Sequence, residues 1–300
     1  MKRTLSVVIS AYNEEKYLET CLASASFADE IIVINNSSTD KTEKIARKFT
    51  DKVFTRPNDM MLNKNKNFGF AKATGDFILN LDGDEEIPTD LATEIKDVVS
   101  SNNPADGYWI SRKNIIFGKW IQNGLWWPDK QLRLFKRLKG RFACKHIHEY
   151  IRVDGTVESL VYPYIHNNYD SISQYLTKIS RATTSEAEYL TDTQYQFAWF
   201  DALRFPLSDF LKTYFLQKAY KDGLHGLVVS LLQAFYSFVV FAKVWEHAGF
   251  PEKMMTPKAF EKELKDRARE IRYWMWTVKI ENSSFLPKII FLKLLRKLFS

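Results

Sequence analysis

At 300 residues, with 45% hydrophobic and 26% charged side chains, the chain is long enough for one large α/β domain plus an appendage and needs no covalent staples. Its two cysteines, Cys21 and Cys144, fit neither a metal-ligand spacing nor a disulfide framework, which excludes a cysteine-built scaffold and suits a reducing cytoplasm. The net charge of +7 lies mostly at the end, where residues 251–300 hold 12 Lys/Arg against 6 Asp/Glu. Such a tail is either a solvated helix surface or a docking element for an anionic partner. Aromatic residues make up 15%, enough to expect a surface that meets something apolar or sugar-like. Residues 1–5 run straight into a strand pattern without a signal-peptide core, so no export is expected.

Taken in chain order, Leu5–Ile9 is a nearly continuous apolar run, the pattern of a strand buried on both faces. Asn13 is a plausible N-cap for a helix through Leu18. Glu30–Ile34 predicts a second strand, Asn35–Asp40 a polar turn and Lys41–Lys48 a helix. Lys52–Thr55, a helix over Asn65–Ala73 and a strand over Asp76–Leu81 follow. This rhythm predicts an α/β fold with a mostly parallel sheet and right-handed crossovers. Residues 96–165 are mixed, and from about 170 the pattern is helical. The expected division is a sheet domain over 1–168, with halves at 1–95 and 96–168, then a helical region over 169–300.

Ligands of such sheets bind outside the carboxyl ends of the strands. Ser10–Glu14, Asn35–Asp40 and Asp82–Glu86 each follow a strand and should line one crevice. Asp82-Gly83-Asp84 offers two carboxylates one residue apart, which suits a hard divalent cation, and a glycine that would let a diphosphate approach. The plain alternative is an Asp-Gly turn; its position after a fourth strand favours the metal reading.

Val7–Glu15 resembles the opening of family 2 glycosyltransferases, which have the GT-A fold. Ser38–Thr42, Lys66-Asn67, Thr74-Gly75-Asp76 and Leu81–Glu85 continue that resemblance in order, and Asp129–Arg137 with His148-Glu149 resembles the bacterial branch of lipopolysaccharide inner-core β-1,4-glucosyltransferases. The resemblance implies that Ala11, Tyr12 and Glu14 touch the nucleoside, Asp40 the base and Lys66 the diphosphate. It places Asp82 near ribose and metal, and makes Asp84 the principal metal ligand. Asn35 stands where the family carries an acid, and Ser37 where it carries glycine; Asn35 keeps a hydrogen-bonding role toward the nucleotide, and uridine remains the expected base. The implied reaction is inverting transfer of a hexose from a UDP-sugar with Mn²⁺ or Mg²⁺.

Inverting transfer needs a base for the acceptor hydroxyl, and Glu149 is the candidate. His148 either completes the metal shell or, with His146, is one face of an alternating strand. Arg133 and Arg137, four apart, either clamp phosphate oxygens or lie on the surface. Trp126-Trp127-Pro128 is either a sugar-stacking platform or packing.

Residues 223–242 contain no Asp, Glu, Lys or Arg. They form an interfacial helix, a membrane span or a buried helix. In Phe285–Ser300 a helical wheel puts Lys288, Lys293, Arg296 and Lys297 on one half and Ile290, Phe291, Leu294, Leu295 and Leu298 on the other, with Ile289, Leu292 and Phe299 intruding. This pattern suits an anionic membrane surface. The expectation is a peripheral enzyme on the cytoplasmic face of the inner membrane, acting on a lipid-linked or lipopolysaccharide-core saccharide, with no nucleic acid partner. The competing readings are a nucleotidyltransferase that makes a nucleotide sugar, whose glycine-rich, arginine-containing loop is missing at Ser10–Glu15, and a non-enzymatic binding module, which leaves the carboxylates unexplained.

Overall fold

All seven residues of strand β1 (Leu5–Ala11) are buried, because both of its faces are covered. The chain then alternates through α1 (Leu18–Ser24), β2 (Glu30–Asn35), α2 (Thr42–Ala46), β3 (Val53–Thr55), α3 (Leu62–Lys72) and β4 (Phe77–Asp82). The four strands pair in parallel in the order β3-β2-β1-β4. Further along come β5 (Glu85–Glu86), α4 (Thr89–Ser100), β6 (Gly107–Ile116), β7 (Lys119–Trp120), β8 (Asp129–Lys136), β9 (Gly140–Arg141), β10 (Arg152–Val153), β11 (Val157–Ser159) and β12 (Tyr164–Tyr169). Antiparallel β8 joins β4 to β6, and the main path ends β8-β6-β12-β5. The expected α/β class, a mostly parallel GT-A-like sheet flanked by helices and followed by a helical C-terminal region, is the architecture observed. The computed structural model describes residues 2–58, 61–145 and 149–299. The chain divides into a sheet unit (1–120 and 126–175) and a helical unit (121–125 and 176–300).

The helix expected to open at Asn13 begins at Leu18 instead. Asn13 has a left-handed backbone (φ 54°), and its Oδ1 accepts from Thr39 N at 2.8 Å. Its short polar side chain ties two loops together rather than capping a helix, and asparagine tolerates that conformation.

Thr74-Gly75-Asp76 is an architectural corner. A Cβ on Gly75 would lie 2.7 Å from Ser6 N, so only glycine lets β4 start against β1. Asp76 accepts from Thr4 N at 2.8 Å, and Glu30 gathers Thr74 N (2.8 Å), Thr74 Oγ1 (3.0 Å), Ser6 Oγ and the Lys52 ammonium.

The helical unit contains α5 (Ile172–Asp192, from residue 176), α6 (Asp201–Leu211), α7 (Leu224–His247), α8 (Pro257–Glu281) and α9 (Leu286–Phe299). Several polar groups of α7 turn toward neighbouring helices, while Ser230 bonds back to Gly226 O at 2.7 Å. Ser237 and Gln233 reach Asp209, Tyr236 donates to Glu186 at 2.5 Å, and Lys243 donates to Ser180 O at 2.7 Å. Leu231, Phe235, Phe238 and Trp245 are left as an exposed apolar stripe.

Helix α9 has three faces rather than the two halves expected. Leu292 is buried and Ile289 and Leu295 half-buried, while Arg296 donates to Thr277 Oγ1 at 3.0 Å and lies 4.9 Å over the Tyr273 ring. Ile289 and Leu292, which spoiled the wheel, therefore lie with Arg296 on the face packed on α8. Leu286, Ile290, Leu294 and Leu298 point the other way and are exposed, with exposed Lys288 on one flank and Lys293 and Lys297 on the other.

Burial alone would raise the Glu30 pKa, but hydrogen bonds from Lys52, Ser6 and Thr74 outweigh it and hold the carboxyl at about 2. The folded value lies below the ordinary one of about 4.3, so this stabilisation is complete above that pH and is lost as pH falls toward 2. Glu30→Gln should cost on the order of 3 kcal/mol at pH 7. In urea melts at both pH values, the gap to wild type should nearly close by about pH 2.

Candidate active site

Because β1, β2 and β4 are adjacent and parallel, the loops after them leave the same sheet edge. They are bonded to one another. Asn13 N donates to Ser38 Oγ (3.0 Å), Glu14 N to Thr42 Oγ1 (2.8 Å) and Glu15 N to Asp40 Oδ2 (3.1 Å). The other Asp40 oxygen accepts from Thr42 N at 2.9 Å. Burial pushes the Asp40 carboxyl up, but these bonds with Thr42 and Glu15 outweigh it and leave its pKa below the ordinary value. Asn35 is buried; its Nδ2 donates to Glu43 at 2.9 Å and its Oδ1 accepts from Ser38 N at 3.0 Å. Ser37 has φ 57°, the left-handed backbone that glycine adopts freely. Ala11 is buried at the end of β1 and Tyr12 is exposed. A Cβ on Gly83 would stand 3.0 Å from Glu14 Cγ and 3.1 Å from Ala11 Cβ, so this glycine admits the neighbouring loop rather than an open approach from solvent.

Below these loops a cavity of about 330 Å³ joins residues distant in sequence. Asn63 and Lys66 come from α3, Asp82 from β4 and Arg112 from β6. Asp129, Gln131 and Arg133 come from one face of β8, where alternation puts every second side chain on the same side. Phe142, Glu149 and Tyr150 complete the wall. Of the expected residues, Lys66, Asp82, Arg133 and Glu149 meet here. Ala11, Tyr12, Glu14, Asn35 and Asp40 build the loop edge and do not line this cavity.

Its floor is a buried charge network. Arg133, 5% exposed, donates Nη2 to Asp82 Oδ2 (3.1 Å) and to Glu85 Oε1 (2.5 Å), and its Nε to Tyr164 Oη (3.2 Å). Lys66 Nζ lies 2.5 Å from Asp82 Oδ1, and Asp82 N donates to Glu85 Oε2 at 2.8 Å. Burial alone would raise the Asp82 pKa; the charges of Lys66 and Arg133 overcome it and hold the carboxyl well below its usual range. For Glu85 burial prevails and its pKa rises. Arg133 is thus committed within the protein and is not free to clamp a phosphate, while Arg137 donates to Gly75 O at 3.0 Å and braces the Thr74-Gly75-Asp76 corner.

Glu149 is held by the segment before it. Asn67 pairs with the backbone of Phe142 in both directions (2.9 and 3.0 Å), and Glu149 then accepts from Cys144 N, Lys145 N and Asn63 Nδ2. Lys66-Asn67 therefore does two things: one side chain meets Asp82, the next fixes Phe142, two residues before the Cys144 amide that holds Glu149. Asp129 is a third carboxylate in the cavity, beside Asp82 and Glu149, and sequence reading left it without a role. It accepts from Arg112 (2.7 Å), Asn114 (3.1 Å) and Gln131 (2.7 Å); burial raises its pKa, and Arg112 outweighs this and lowers it. The aromatic walls are Phe142 and Tyr150, with Tyr150 edge-on to Trp109 at 5.3 Å. Trp126 packs on Tyr169 and Trp127 on Trp120.

Asp84 is buried beside His166 of β12, another residue that sequence reading passed over, although Tyr164, His166 and Asn168 share an inward face. Asn114 donates its amide hydrogens to Trp126 O (3.0 Å) and Asp129 (3.1 Å), so its oxygen faces His166 Nδ1 at 2.7 Å. That oxygen can only accept, which puts a proton on Nδ1 and leaves Nε2 as the nitrogen a metal would bind. Nε2 lies 3.6 Å from Asp84 Oδ2, too far for a direct hydrogen bond. A carboxylate and an imidazole lone pair so disposed fit a divalent cation, and manganese accepts nitrogen more readily than magnesium does. Among the described residues no three His, Cys, Asp or Glu side chains form a metal cluster, and His148 lies outside the described residues.

The loops that leave this parallel sheet edge, with Asp82 and Asp84 at the end of β4 and His166 inward on β12, lie at the carboxyl ends of the strands, where sheets of this kind bind ligands. Residues 6–153 match the model of the family described as Glycosyl transferase family 2. It is 23% identical over 253 residues to the lipopolysaccharide core biosynthesis glycosyltransferase LpsC of Rhizobium meliloti, covering 82% of this chain and 93% of that protein. It is 26% identical over 257 residues to an uncharacterized glycosyltransferase of Rickettsia typhi, covering 82% and 88%. Among solved structures, Staphylococcus aureus TarS 1–349 in complex with UDP aligns over 84% of this chain and 94% of that one, at 16% identity and a TM-score of 0.42.

Arg133→Met would leave Glu85 and Asp82 without their shared countercharge, and removing one partner of a buried pair costs about 3–5 kcal/mol. Urea denaturation should show that loss, and the double variant Arg133→Met/Glu85→Gln should recover a large part of it.

Proposed function

We propose that the chain is an inverting glycosyltransferase that moves a hexose from a UDP-sugar to a lipid-linked or lipopolysaccharide-core saccharide at the cytoplasmic face of the inner membrane. The observation that carries the reading is the meeting of Lys66, Asp82 and Glu149 in one cavity of the segment that matches the family 2 model. Asp84 and His166 would hold Mn²⁺ or Mg²⁺, while Asp82 is engaged by Lys66 and Arg133. That ion would neutralise the leaving diphosphate. Lys66 brings a cation to the same side, and Arg133 fixes Asp82 without touching substrate. Ala11, Tyr12, Glu14 and Asp40 shape the nucleoside edge, and Asn35 positions that edge from within.

Glu149 takes the proton from the acceptor hydroxyl as its oxygen attacks the anomeric carbon; the bond to the diphosphate oxygen breaks on the opposite face. Both carboxylates accept three hydrogen bonds, but Asp129 is the weaker candidate base because the Arg112 guanidinium lowers its proton affinity. With Arg112 and Gln131 it suits hydrogen bonding to sugar hydroxyls, and exposed Tyr150 suits stacking on a sugar face.

Residence at the membrane is supported by α7, one helix long and apolar enough to cross a bilayer by length and composition, and by the exposed, lysine-flanked stripe of α9. Because α9 presents that stripe while its opposite face packs on α8, the peripheral reading is preferred to a span.

With Mn²⁺ and a panel of UDP-hexoses, the protein should release UDP in the presence of lipid extract; release of pyrophosphate from a sugar phosphate and UTP would point to a nucleotidyltransferase. Glu149→Gln should keep donor binding and lose about 10²–10⁴-fold in turnover, with Asp129→Asn losing less. The reverse order would make Asp129 the base. Asp84→Ala should abolish transfer without unfolding the chain, and His166→Gln should raise the Mn²⁺ concentration needed for half-maximal rate. Removing residues 285–300 should weaken flotation with anionic vesicles, at on the order of 1 kcal/mol per basic residue lost, and high salt should imitate part of the effect.

A further inference from the structure

We propose that a cleft in the helical unit, between the end of α7 and residues 250–255, binds one acyl chain of a bilayer phospholipid. The cleft has a volume of about 630 Å³, within the range of about 300–1,000 Å³ usual for small-molecule sites. Its walls are Phe197, Trp199, Phe241, Trp245, Phe250 and Met255. Methionine and aromatic walls adapt to flexible apolar ligands.

The wall is built by a strained turn. Helix α7 ends in two successive left-handed residues, Gly249 (φ 79°) and Phe250 (φ 53°). A bulky residue there costs about 1–2 kcal/mol, and strain of this kind persists only where surrounding contacts enforce it. Here Phe250 N donates to Trp245 O at 3.0 Å, and its ring stands edge-on to Trp245 at 5.0 Å. Trp245 Nε1 donates to Pro251 O at 3.1 Å, so the one polar atom of the indole is satisfied inside the turn and its ring is left to line the cleft. Phe197 closes the other side, edge-on to Phe241 at 5.9 Å.

The rim selects the occupant. A site for a peptide or protein segment is normally framed by polar, hydrated surface. This rim is itself apolar: Met254 is 93% exposed, Phe250 and Met255 are more than half exposed, and the rim continues into the Leu231–Phe235–Phe238–Trp245 stripe of α7. Such a border suits a ligand whose own surroundings are hydrocarbon. The charged lining residues are Lys253 and Glu252, and Lys253 stands 5.3 Å over the Phe197 ring with exposed Lys258 nearby in sequence. At the mouth the Lys253 ammonium is the group that can meet an anionic headgroup. The inference rests on the proposed membrane residence, but it concerns a site apart from the sugar-transfer cavity.

The test uses the full-length protein and cis-parinaric acid, a fluorescent fatty acid, below its micellar concentration, with energy transfer from tryptophan as the readout. Saturable binding of one chain per protein is expected. Ala202→Phe, which fills the cleft wall, and Met255→Glu, a substitution at an exposed rim position, should each weaken it at least tenfold while leaving UDP release and helical content unchanged. Vesicle flotation is measured in parallel: if the full chain does not float but chain binding is saturable and lost in both variants, the membrane reading fails and the cleft stands. Absence of saturable binding to the wild-type protein, or binding unaffected by both substitutions, overturns the proposal.

Discussion

A guanidinium buried under a sheet edge must be surrounded by carboxylates, and Arg133 imposes that requirement on four strands. It reaches Asp82 at the end of β4, Glu85 of β5 and Tyr164 of β12 from its own place on β8. Lys66 adds a second positive charge against Asp82, so two cations balance two carboxylates. Charge removed from water is tolerated only when paired this completely. The network therefore fixes where the Asp82-Gly83-Asp84 turn sits, and with it the place of Asp84 beside His166. A buried pair of this kind is better understood as setting geometry than as adding stability.

The same economy marks the loops. Asn13, Asp40 and Asn35, which sequence reading assigned to a helix cap or to the nucleotide, spend hydrogen bonds holding one loop to the next. Asn67 likewise serves the Phe142 backbone rather than a ligand. Preorganisation of this sort lets a cavity present Lys66, Asp82 and Glu149 together without further rearrangement. Arg112, Asn114 and Asp129 connect the acid pocket to the histidine side, because the Asn114 amide bonds Asp129 with one end and His166 with the other.

In the helical unit, polarity is sorted by direction. Ser237, Gln233, Tyr236 and Lys243 of α7 find partners on α5 and α6, and Ile289 and Leu292 of α9 find α8. What remains outside is apolar in stripes and edged with lysine. An amphipathic helix has a single hydrophobic side when it packs only once; α9 has two because it packs on α8 and still presents a second apolar surface.

The amino-acid sequence by itself determined the alternating strands from Leu5 to Asp82, the helical character beyond residue 170 and the acid turn after the fourth strand. These rest on local periodicity, and buried parallel strands and amphipathic helices write their periods directly into adjacent residues. It also marked Lys66, Asp82 and Glu149 as residues of interest. Only the tertiary structure decided which of them meet, that Arg133 is locked inward, that Asp129 faces the cavity, and that His166 rather than a described neighbour of Glu149 stands against Asp84. Those facts depend on the antiparallel insertion of β8 and on the return of β12 beside β5. Such long-range pairings have no period in the sequence, because they are set by how buried charges and amides at distant positions satisfy one another.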